Sequence, residues 1–315
     1  HWPTAGWGKA GSRSAANMKN LFRWGILLAL LFQVSNAAAL EYPSNKELAR
    51  RLQGLAGAHP DLVRLHSLAR ISGKQEVWLA ELGSGGAEKR LKQPAMLAVA
   101  GIDGNDLAGG VSLLAWVEEL ATAYGNDVNI KQLLDTTTLY VIPRMNPEAA
   151  EHFFGKPKME LEVNARPVDD DHDGLADEDG PEDLDGDGQI TWMRVRDPEG
   201  EYLFDPVDAR LLLKADRAKG EAGAWKLFGE GIDNDHDEAW SEDRPGGVNF
   251  NRNFPYNFSF FAPWSGAHPM SEPPTRALAD FVVGHPQIGL VFTFGASDNL
   301  AQTPKGEPAK RPPGA

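Results

Sequence analysis

Pro94-Ala95-Met96-Leu97-Ala98-Val99-Ala100-Gly101 is the stretch of sequence that decides the fold. Its six central residues are all apolar, and a proline and a glycine bound them. A short, unbroken apolar run of this kind is typical of a strand that is buried on both faces. We therefore expect this segment to lie inside a sheet that helices cover.

Periodic segments on both sides of this strand predict the rest of the fold. Apolar residues at helical spacing predict helices over 45–55, with Ser44 as cap, and over 107–124 and 276–283. Strands are predicted over 63–71, 76–82, 137–142 and 288–294, and the last two are expected to be buried. A strand, a helix and a second strand at this spacing form a crossover unit, which joins parallel strands. The predicted class is α/β, with a mixed, largely parallel sheet flanked by helices.

Composition excludes several kinds of function. The chain has 315 residues, no cysteine, and a formal charge of −14 from 31 basic and 45 acidic side chains. Without cysteine it forms neither disulfides nor any catalytic, iron–sulfur or zinc site that uses a thiolate. Binding to nucleic acid is not expected, because phosphate contacts need clustered lysines and arginines. A hydrophobic fraction of 42% is sufficient for a sizeable core.

The N-terminal residues have the layout of an export signal. Met18 starts a short positive segment, residues 24–34 are mostly apolar, and Ala37 and Ala39 occupy the small-residue positions before a cleavage point. This apolar run is too short to cross a bilayer, which takes about 20 residues. We therefore expect an upstream segment or scar over 1–17, a signal peptide over 18–39, and a secreted or periplasmic mature chain without membrane attachment.

Between residues 166 and 244 we expect an acidic insertion within the domain. Residues 169–187 contain eleven acidic side chains and neither lysine nor arginine, so they cannot form a core. Alternate aspartates on tight loops suit a hard cation such as calcium, and three segments carry them: Asp169, Asp171 and Asp173; Asp183, Asp185 and Asp187; Asp233, Asp235 and Asp237. None of these loops has a glutamate at its twelfth position, which favours compact calcium loops over EF-hands. The alternative is a solvated acidic loop without a specific ion.

Four segments, in order along the chain, carry a family resemblance. They are Gly101-Ile102-Asp103-Gly104-Asn105-Asp106, Pro143-Arg144-Met145-Asn146-Pro147-Glu148, Asn249-Phe250-Asn251-Arg252-Asn253-Phe254-Pro255 and Val291-Phe292-Thr293-Phe294-Gly295. With the later Ser271-Glu272-Pro273, the chain resembles the zinc carboxypeptidases of the carboxypeptidase A and B type. The acidic insertion resembles that of bacterial members. The resemblance implies a carboxypeptidase-like domain over 40–301, with a disordered tail over 302–315.

The resemblance also implies a zinc site, and this sequence departs from it. The family uses a histidine and a glutamate after the first buried strand and a histidine after a later strand. These positions match Asp103, Asp106 and Gly295, or Phe292 for the last ligand in a shifted register. Two carboxylates without imidazole suit calcium or magnesium better than zinc. His268 and His285 are alternative ligands, although a lone histidine is more often a surface residue.

The general base is the second departure from the family. The resemblance implies that the base glutamate and a substrate-covering tyrosine lie well beyond the last zinc ligand, and only twenty residues follow Gly295. We therefore expect a fold that is incomplete at its C-terminus and a site without its base. Peptide hydrolysis then loses both the zinc-activated water and the group that deprotonates it.

Substrate anchoring is the part of the site that the resemblance retains. Asn251 and Arg252 match the pair that binds the terminal carboxylate of a peptide. A guanidinium suits this group because it donates two parallel hydrogen bonds to a carboxylate. Arg194, or Arg196, matches the family's arginine that stabilises the oxyanion. The alternative for Arg252 is an ion pair with the acidic loops.

Three functions from different classes follow from these observations. The favoured one is an exported, degenerate metallocarboxypeptidase that binds calcium and the C-termini of peptides or proteins without cleaving them. The first alternative is an active metallocarboxypeptidase with non-standard ligands, which removes C-terminal residues. The second alternative is a calcium-dependent interaction module without enzymatic activity.

Overall fold

The computed structural model describes residues 42–71, 75–168, 176, 180–234, 240 and 246–295. The helices in these ranges are α1 Asn45–Ala58, α2 Ala87–Lys92, α3 Leu107–Ala123, α4 Val128–Thr136, α5 Pro147–His152 and α6 Pro273–Gly284. The strands are β1 Val63–Arg70, β2 Glu76–Leu82, β3 Ala95–Val99, β4 Thr138–Ile142, β5 Trp192–Arg196, β6 Tyr202–Phe204, β7 Leu212–Lys214, β8 Trp225–Gly229 and β9 Ile288–Thr293. Short 3-10 turns occur at Arg217–Lys219 and Phe250–Arg252. The predicted signal peptide and the predicted tail lie outside the described residues.

Five strands form the main sheet in the order β1-β2-β4-β3-β9. β2 pairs antiparallel with both β1 and β4, whereas β3 pairs parallel with both β4 and β9. The predicted mixed α/β sheet is confirmed, but it is less parallel than the sequence predicts. The reason is that β1 and β2 follow each other as a hairpin, and a hairpin joins only antiparallel strands.

The two strands that the apolar runs predict, β3 and β4, lie at the centre of this sheet. Every residue in both strands is buried. Side chains of β3 and β4 join a core cluster that also contains Phe250 and Leu278, which come from distant parts of the chain. Helices α3 and α4 contact β4, and α6 contacts β1. The apolar runs therefore identified the core correctly.

Polar side chains determine where the helices begin. The Ser44 hydroxyl accepts a hydrogen bond from the backbone N–H of Glu47 at 3.3 Å, which confirms the predicted cap of α1. The carboxylate of Asp127 accepts from Asn129 and Ile130 at the start of α4, at 2.7 and 3.1 Å. Each cap satisfies N–H groups that lack a partner in the first helical turn. No helix in the described residues is long and apolar enough to cross a membrane.

The prediction that β9 is a buried strand is wrong. Its residues alternate between half-buried and exposed, and Val291 is 50% exposed. The cause is its position, because within the described residues β9 ends the sheet and pairs only with β3. An apolar run predicts burial of both faces but carries no information on whether the strand's outer edge is covered.

A second sheet, which the sequence analysis does not predict, occupies part of the acidic insertion. Its strands follow the order β5-β8-β6-β7 and pair antiparallel. None of the residues in these four strands is fully buried. The sheet is held instead by its backbone ladder and by aromatic contacts such as that between Phe204 and Trp225, whose ring centroids are 5.4 Å apart. The sheet over residues 192–229 therefore forms without a conventional core.

Candidate functional site

The loops that follow β3 and β4 are joined at one edge of the main sheet. Beyond the strand ends, the backbone N–H groups of Met145 and Asn146 donate to the carbonyls of Ala100 and Gly101, at 3.0 and 2.8 Å. Gly101 has a φ of 62°, a backbone conformation that residues with a side chain rarely adopt. The loop after β3, which carries both predicted zinc-position carboxylates, therefore lies directly against the loop after β4.

The segment that follows β4, residues 143–148, has a structural role. Arg144 is buried, and its guanidinium donates to the Asn45 side chain at 2.8 Å and to the Pro43 carbonyl at 2.9 Å. Burial lowers the pKa of Arg144 to about 10. The Asn146 side chain caps α5 by accepting from the N–H of Ala149 at 3.2 Å. These side chains tie α1 and α5 to the site edge.

Asp103 lies next to the predicted substrate anchor. The side-chain amide of Asn251 donates a hydrogen bond from Nδ2 to Oδ2 of Asp103 at 2.6 Å, across 148 residues of sequence. Asn251 itself is exposed. The position that matches the family's first zinc ligand and the position that matches its carboxylate anchor are therefore in direct contact.

Asp106 is the N-cap of α3. Its carboxylate accepts a hydrogen bond from the backbone N–H of Gly109 at 3.4 Å. An aspartate at this position also interacts favourably with the positive end of the helix dipole. The carboxylate that matches the family's glutamate ligand is therefore engaged by the helix that follows it.

The end of β9 reaches the same edge. A methyl group placed on Gly109 would lie 2.8 Å from Cβ of Phe294 and 3.2 Å from a carboxylate oxygen of Asp106. Phe292 is paired with β3 inside the sheet, whereas Gly295 lies beyond the strand. Position 295 is therefore the one at the edge, where Phe294 approaches the start of α3, but a methyl group placed on Gly295 would have no atom within 4 Å. Glycine, however, offers no ligand atom.

The two alternative histidine ligands are engaged elsewhere. His285 stacks on Phe281, with ring centroids 3.9 Å apart, and its Nδ1 lies 2.7 Å from the Phe281 carbonyl oxygen. It precedes β9 whereas Gly295 follows it, and a strand of six residues separates the two by about 20 Å, at about 3.3 Å per residue. Nδ1 of His268 lies 3.0 Å from the carbonyl oxygen of Pro269.

Arg252 and Asn251 are presented by the 3-10 turn Phe250–Arg252. Phe250 is fully buried in the core cluster, while Asn251 and Arg252 point outward and are exposed. The Arg252 guanidinium donates to the carbonyl of Pro263 at 3.4 Å and lies 5.6 Å from the centroid of the Trp264 ring. Within the part of the chain that the structure describes, Arg252 forms no ion pair.

Asn253 organises the loop that faces this turn, a role that the sequence analysis did not assign. Its amide is buried, and both ends of the group are hydrogen-bonded. The partners are the carbonyls of Ser265 and His268, the hydroxyls of Ser271 and Thr275, and the N–H of Glu272. The third asparagine of the motif therefore fixes the segment that contains Trp264.

Glu272, in the Ser271-Glu272-Pro273 motif, is a buried carboxylate whose role the sequence alone did not predict. It accepts hydrogen bonds from the Asn164 amide at 2.8 Å and the Arg166 guanidinium at 2.9 Å. Asn164 in turn accepts from the N–H of Val248 at 2.7 Å. These bonds hold residues 164–166 beside the anchor segment. The available signal was the charge of Glu272 between a serine and a proline at the start of α6.

Arg194 lies on the second sheet. Its guanidinium carbon is 5.1 Å from the ring centroid of Phe204 and 5.6 Å from that of Trp225. Cation–π contacts of this kind stabilise a sheet that has no buried core. The structure therefore places Arg194 in a packing role between two aromatic rings, and does not bring it to the contact between Asn251 and Asp103.

The second acidic segment converges on one point. Asp183, Asp185 and Asp187 each offer a carboxylate oxygen, and these oxygens all lie within 4.8 Å of one another. The loop is closed by N–H groups of Gly186 and Gly188, which donate to Asp183 at 2.8 Å each. In the other two segments, Asp169, Asp171, Asp173, Asp235 and Asp237 lie outside the described residues, which include Asp233.

Glu230 fastens this loop to the end of β8, and no sequence pattern singled it out. Its carboxylate accepts from the backbone N–H groups of Leu184 at 2.8 Å and Asp185 at 3.3 Å. The N–H and hydroxyl of Thr191 donate to its other oxygen at 2.8 Å each. These bonds from Thr191, followed by those from Leu184 and Asp185, lower the pKa of Glu230.

Sequence comparisons bear on the first part of the chain. Residues 48–161 match the family model described as zinc carboxypeptidase, a range that includes Asp103 and Asp106 but not Asn251. Human carboxypeptidase D is 30% identical over 137 residues, which are 42% of this chain and 10% of that protein. Mouse carboxypeptidase M is 27% identical over 124 residues, 39% of this chain and 28% of that protein. The chain thus spans well under two thirds of the length of these curated relatives.

Structural comparisons extend further along the chain. The crystal structure of thrombin activatable fibrinolysis inhibitor is similar with a TM-score of 0.52 at 14% identity, covering 82% of this chain and 48% of that chain. Carboxypeptidase A from Helicoverpa armigera is similar with a TM-score of 0.50 at 14% identity, covering 88% and 54%. At this level of identity the similarity shows the fold alone, and it confirms the predicted carboxypeptidase-like α/β fold.

Proposed function

Residues 48–161 match the zinc carboxypeptidase family model, and from this match we propose that the chain is a member of that family that binds the C-terminal carboxylate of peptides or proteins without cleaving them. The observation that carries the proposal is the exposed turn that presents Asn251 and Arg252 beside Asp103. Both side chains are accessible, and the loops that follow β3 and β4 lie at the same edge of the sheet. Ligands of such α/β folds bind at the carboxyl ends of the strands.

The chemistry of Arg252 suits a carboxylate. Within the described residues its charge has no acidic partner, and only a carbonyl and an aromatic ring contact it. A guanidinium next to a primary amide can donate several hydrogen bonds to one carboxylate. The hydrogen bond from Asn251 to Asp103 leaves the second amide hydrogen of Asn251 for such a ligand.

The residues at the matched zinc positions do not suit zinc. Asp103 accepts a hydrogen bond from Asn251, Asp106 caps a helix, and Gly295 has no ligand atom. The one group of three or more metal-ligating side chains found among the described residues is the aspartate triad 183–187, in the acidic insertion. We therefore assign no catalytic step to zinc here, and this supports a binding role for the domain.

Calcium is the metal that we propose for the acidic insertion, with a structural role. Three carboxylate oxygens within 4.8 Å of one another, on a glycine-containing loop, have the spacing and hardness that calcium prefers. The second sheet has no fully buried residue, so a bound ion would stabilise a segment that has little core. The proposed calcium ligands are Asp183, Asp185 and Asp187. The other two acidic segments add Asp169, Asp171, Asp173, Asp233, Asp235 and Asp237.

Export to the periplasm or the exterior is part of the same proposal. It is supported by the positive, apolar and small-residue pattern over 18–39. The net charge of −14 supports a protein or peptide partner over nucleic acid. An active metallocarboxypeptidase with non-standard ligands is the alternative that the following experiment separates.

The test compares a peptide acid with its C-terminal amide by calorimetric titration. We expect the acid to bind at least about tenfold more tightly, since charge-assisted bidentate pairs are worth about 1.5–3 kcal/mol. Arg252→Ala should abolish the difference, whereas Arg50→Ala, which removes an exposed arginine of α1, should leave it unchanged. Equal affinity for acid and amide would contradict the anchor. Shortening of the peptide, detected by mass spectrometry, would instead support the enzyme.

A further inference from the structure

An aromatic loop, residues 255–264, connects the turn Phe250–Arg252 to the segment that precedes α6. Seven of the fifteen residues from 250 to 264 are phenylalanine, tyrosine or tryptophan, against 9% aromatic residues in the whole chain. Phe250 and Phe254 contact the core cluster. The other five aromatic side chains belong to the loop and are not part of that cluster.

Three side chains of the aromatic loop are exposed. Tyr256 is 69% exposed, Phe260 is 62% exposed and Phe261 is fully exposed, at 102%. Phe258 lies behind them, with its ring centroid 4.9 Å from that of Phe260, and the rings of Phe260 and Phe261 are 6.4 Å apart. Single exposed apolar residues are common, whereas contiguous ones mark a surface that contacts another molecule. These rings form such a contiguous surface.

The backbone of the loop presents these rings outward. Phe261 has a φ of 61° and Trp264 a φ of 62°, in the left-handed region that bulky residues rarely adopt. The Trp264 carbonyl accepts from the N–H of Asn249 at 2.9 Å, and the N–H of Ala262 donates to the carbonyl of Ser259 at 3.4 Å. Backbone strain of this kind persists where the surrounding structure imposes it, and it clusters at functional sites. The surface is therefore formed in advance of any contact.

The segment that carries the loop has no negative charge. Residues 245–271 contain no acidic side chain, although the chain has 45 of them and a formal charge of −14. Arg252 is the one permanently charged side chain in this segment, and it lies at the base of the loop, 5.6 Å from the Trp264 ring centroid. A surface that carries phosphate groups would meet aromatic rings and a guanidinium here, without repulsion from a neighbouring carboxylate in the segment.

This combination suits the boundary between the headgroups and the acyl chains of a phospholipid bilayer. Tyrosine and tryptophan are enriched at that boundary, because each has an apolar ring and a polar atom. Phenylalanine adds apolar area that the acyl chains accept. Phe261 projects beyond its neighbours, and fluid lipid surrounds such a projection, whereas a protein partner would need a pocket of matching shape. Lipid is therefore the partner that these features favour.

We propose that the aromatic loop is a membrane-docking site, which inserts Tyr256, Phe260 and Phe261 into the headgroup region of a phospholipid bilayer. Attachment of this kind is peripheral and needs no spanning segment. The expectation of a mature chain without membrane attachment considered only a spanning run, and this inference replaces it. The inference is independent of peptide binding.

The experiment is flotation of the full chain on a density gradient with vesicles of phosphatidylcholine. This lipid has no net charge, which excludes calcium bridges between acidic side chains and an anionic surface. We expect the chain to float with the vesicles. The double variant Phe260→Ser and Phe261→Asn should lower the vesicle partition coefficient at least about tenfold, since full burial of one phenylalanine side chain contributes at least that factor.

The substitutions are chosen to preserve the fold. Asparagine tolerates the positive φ of residue 261, and both side chains are exposed. Trp192→Ser is the matched control, because it removes a 73% exposed aromatic side chain from β5 of the second sheet. The control should float as the parent does.

Three results would overturn the inference. The first is a parent chain that stays at the bottom of the gradient. The second is a loss of flotation in Trp192→Ser that equals the loss in the double variant, which would indicate unspecific adsorption. The third is a parent that ignores vesicles but self-associates in sedimentation velocity, with the double variant monomeric, which would assign the loop to a second copy of the chain. None of these results bears on the difference between peptide acids and amides, so the proposed function is tested separately.

Discussion

Asn251 donates its side-chain amide to the carboxylate of Asp103 at 2.6 Å. In the family resemblance, one of these positions anchors the substrate and the other holds the metal. Because of their direct hydrogen bond, the carboxylate of Asp103 orients the side-chain amide of Asn251. It also places a negative charge beside the proposed binding point of a negatively charged ligand.

The first prediction concerns that charge. Asp103→Asn keeps an oxygen that accepts the hydrogen bond from Asn251 but removes the repulsion between Asp103 and a peptide carboxylate. We expect peptide acids to bind several-fold more tightly, since two like charges near a protein surface repel by about 1 kcal/mol or more at short range. Calorimetry at low and moderate salt measures this, and the gain should shrink as salt increases.

Asp61→Asn is the matched control for this substitution, because it removes one exposed acidic charge in the turn before β1. It should leave peptide affinity unchanged. Weaker binding by Asp103→Asn would mean that Asp103 contributes to the site as a charge, and it would contradict the account.

A second prediction concerns the geometry of the matched zinc positions. Asp103, Asp106 and Gly295 all follow strands at one edge of the sheet, and Gly109 lies close to both Asp106 and Phe294. The triple substitution Asp103→His, Asp106→Glu and Gly295→His should therefore create a zinc site, which a chelator-competition titration can detect. The same triple with Phe292→His in place of Gly295→His should fail, because residue 292 is paired inside the sheet. Equal zinc binding by both triples, or by neither, would contradict this reading of the edge.

The sequence predicted the central part of the fold, but it did not predict the side chains that support the site. Apolar runs identified β3 and β4 because these strands are buried on both faces, and a periodic pattern with a serine cap identified α1. The exposure of β9 was not predictable from its own residues, since it depends on what lies at its edge. The second sheet was not predicted for a related reason: its strands are only three to five residues long, and their apolar residues do not mark a buried face.

The site residues also divide into those that the sequence predicted and those that it did not. Asn251 and Arg252 were found from a short motif, and the structure places both on an exposed turn. Glu230, Asn253 and Glu272 were not assigned roles, because each acts through hydrogen bonds to residues that are distant in sequence. Such partners become apparent only when the fold brings them together.

The third prediction concerns stability at low pH. Burial alone would raise the pKa of Glu81, but hydrogen bonds from His66 and from the buried Arg90 outweigh it and hold that pKa at about 2, below its ordinary value of 4.5. As the pH falls, Glu81 therefore takes up a proton in the unfolded chain before it does so in the folded protein. The stabilisation is complete above about pH 4.5 and is lost as the pH falls toward 2.

Glu81→Gln isolates this contribution. Between pH 4.5 and pH 2, the free energy of unfolding should fall by about 3 kcal/mol more in the parent than in the variant. Urea titrations across this range measure it. Arg90→Met should lower stability by about 3 kcal/mol at neutral pH, because it removes the buried arginine from the Glu81 carboxylate and leaves only His66 beside it. Lys92→Met, in the exposed pair with Glu88, should have little effect, and parallel acid profiles would refute the prediction.

The fourth prediction concerns the acidic loop. Glu230 is not in the aspartate triad, but its carboxylate receives N–H groups from Leu184, Asp185 and Thr191 and so holds the loop in shape. Glu230→Gln should weaken calcium binding by about tenfold, since supporting groups around metal ligands typically contribute factors of 10–100. Glu221→Gln, which alters an exposed carboxylate near β8, is the control. Unchanged calcium affinity would mean that the loop forms without Glu230.

The central claim, a carboxypeptidase fold that holds calcium but has lost zinc, is tested most directly by its metal content. Mass spectrometry of the purified chain, after dialysis against buffer with trace zinc and calcium, measures both ions together. The account predicts calcium at one or more ions per chain and no stoichiometric zinc. About one zinc per chain, the occupancy of a catalytic site, would contradict this account and would support an active metallocarboxypeptidase.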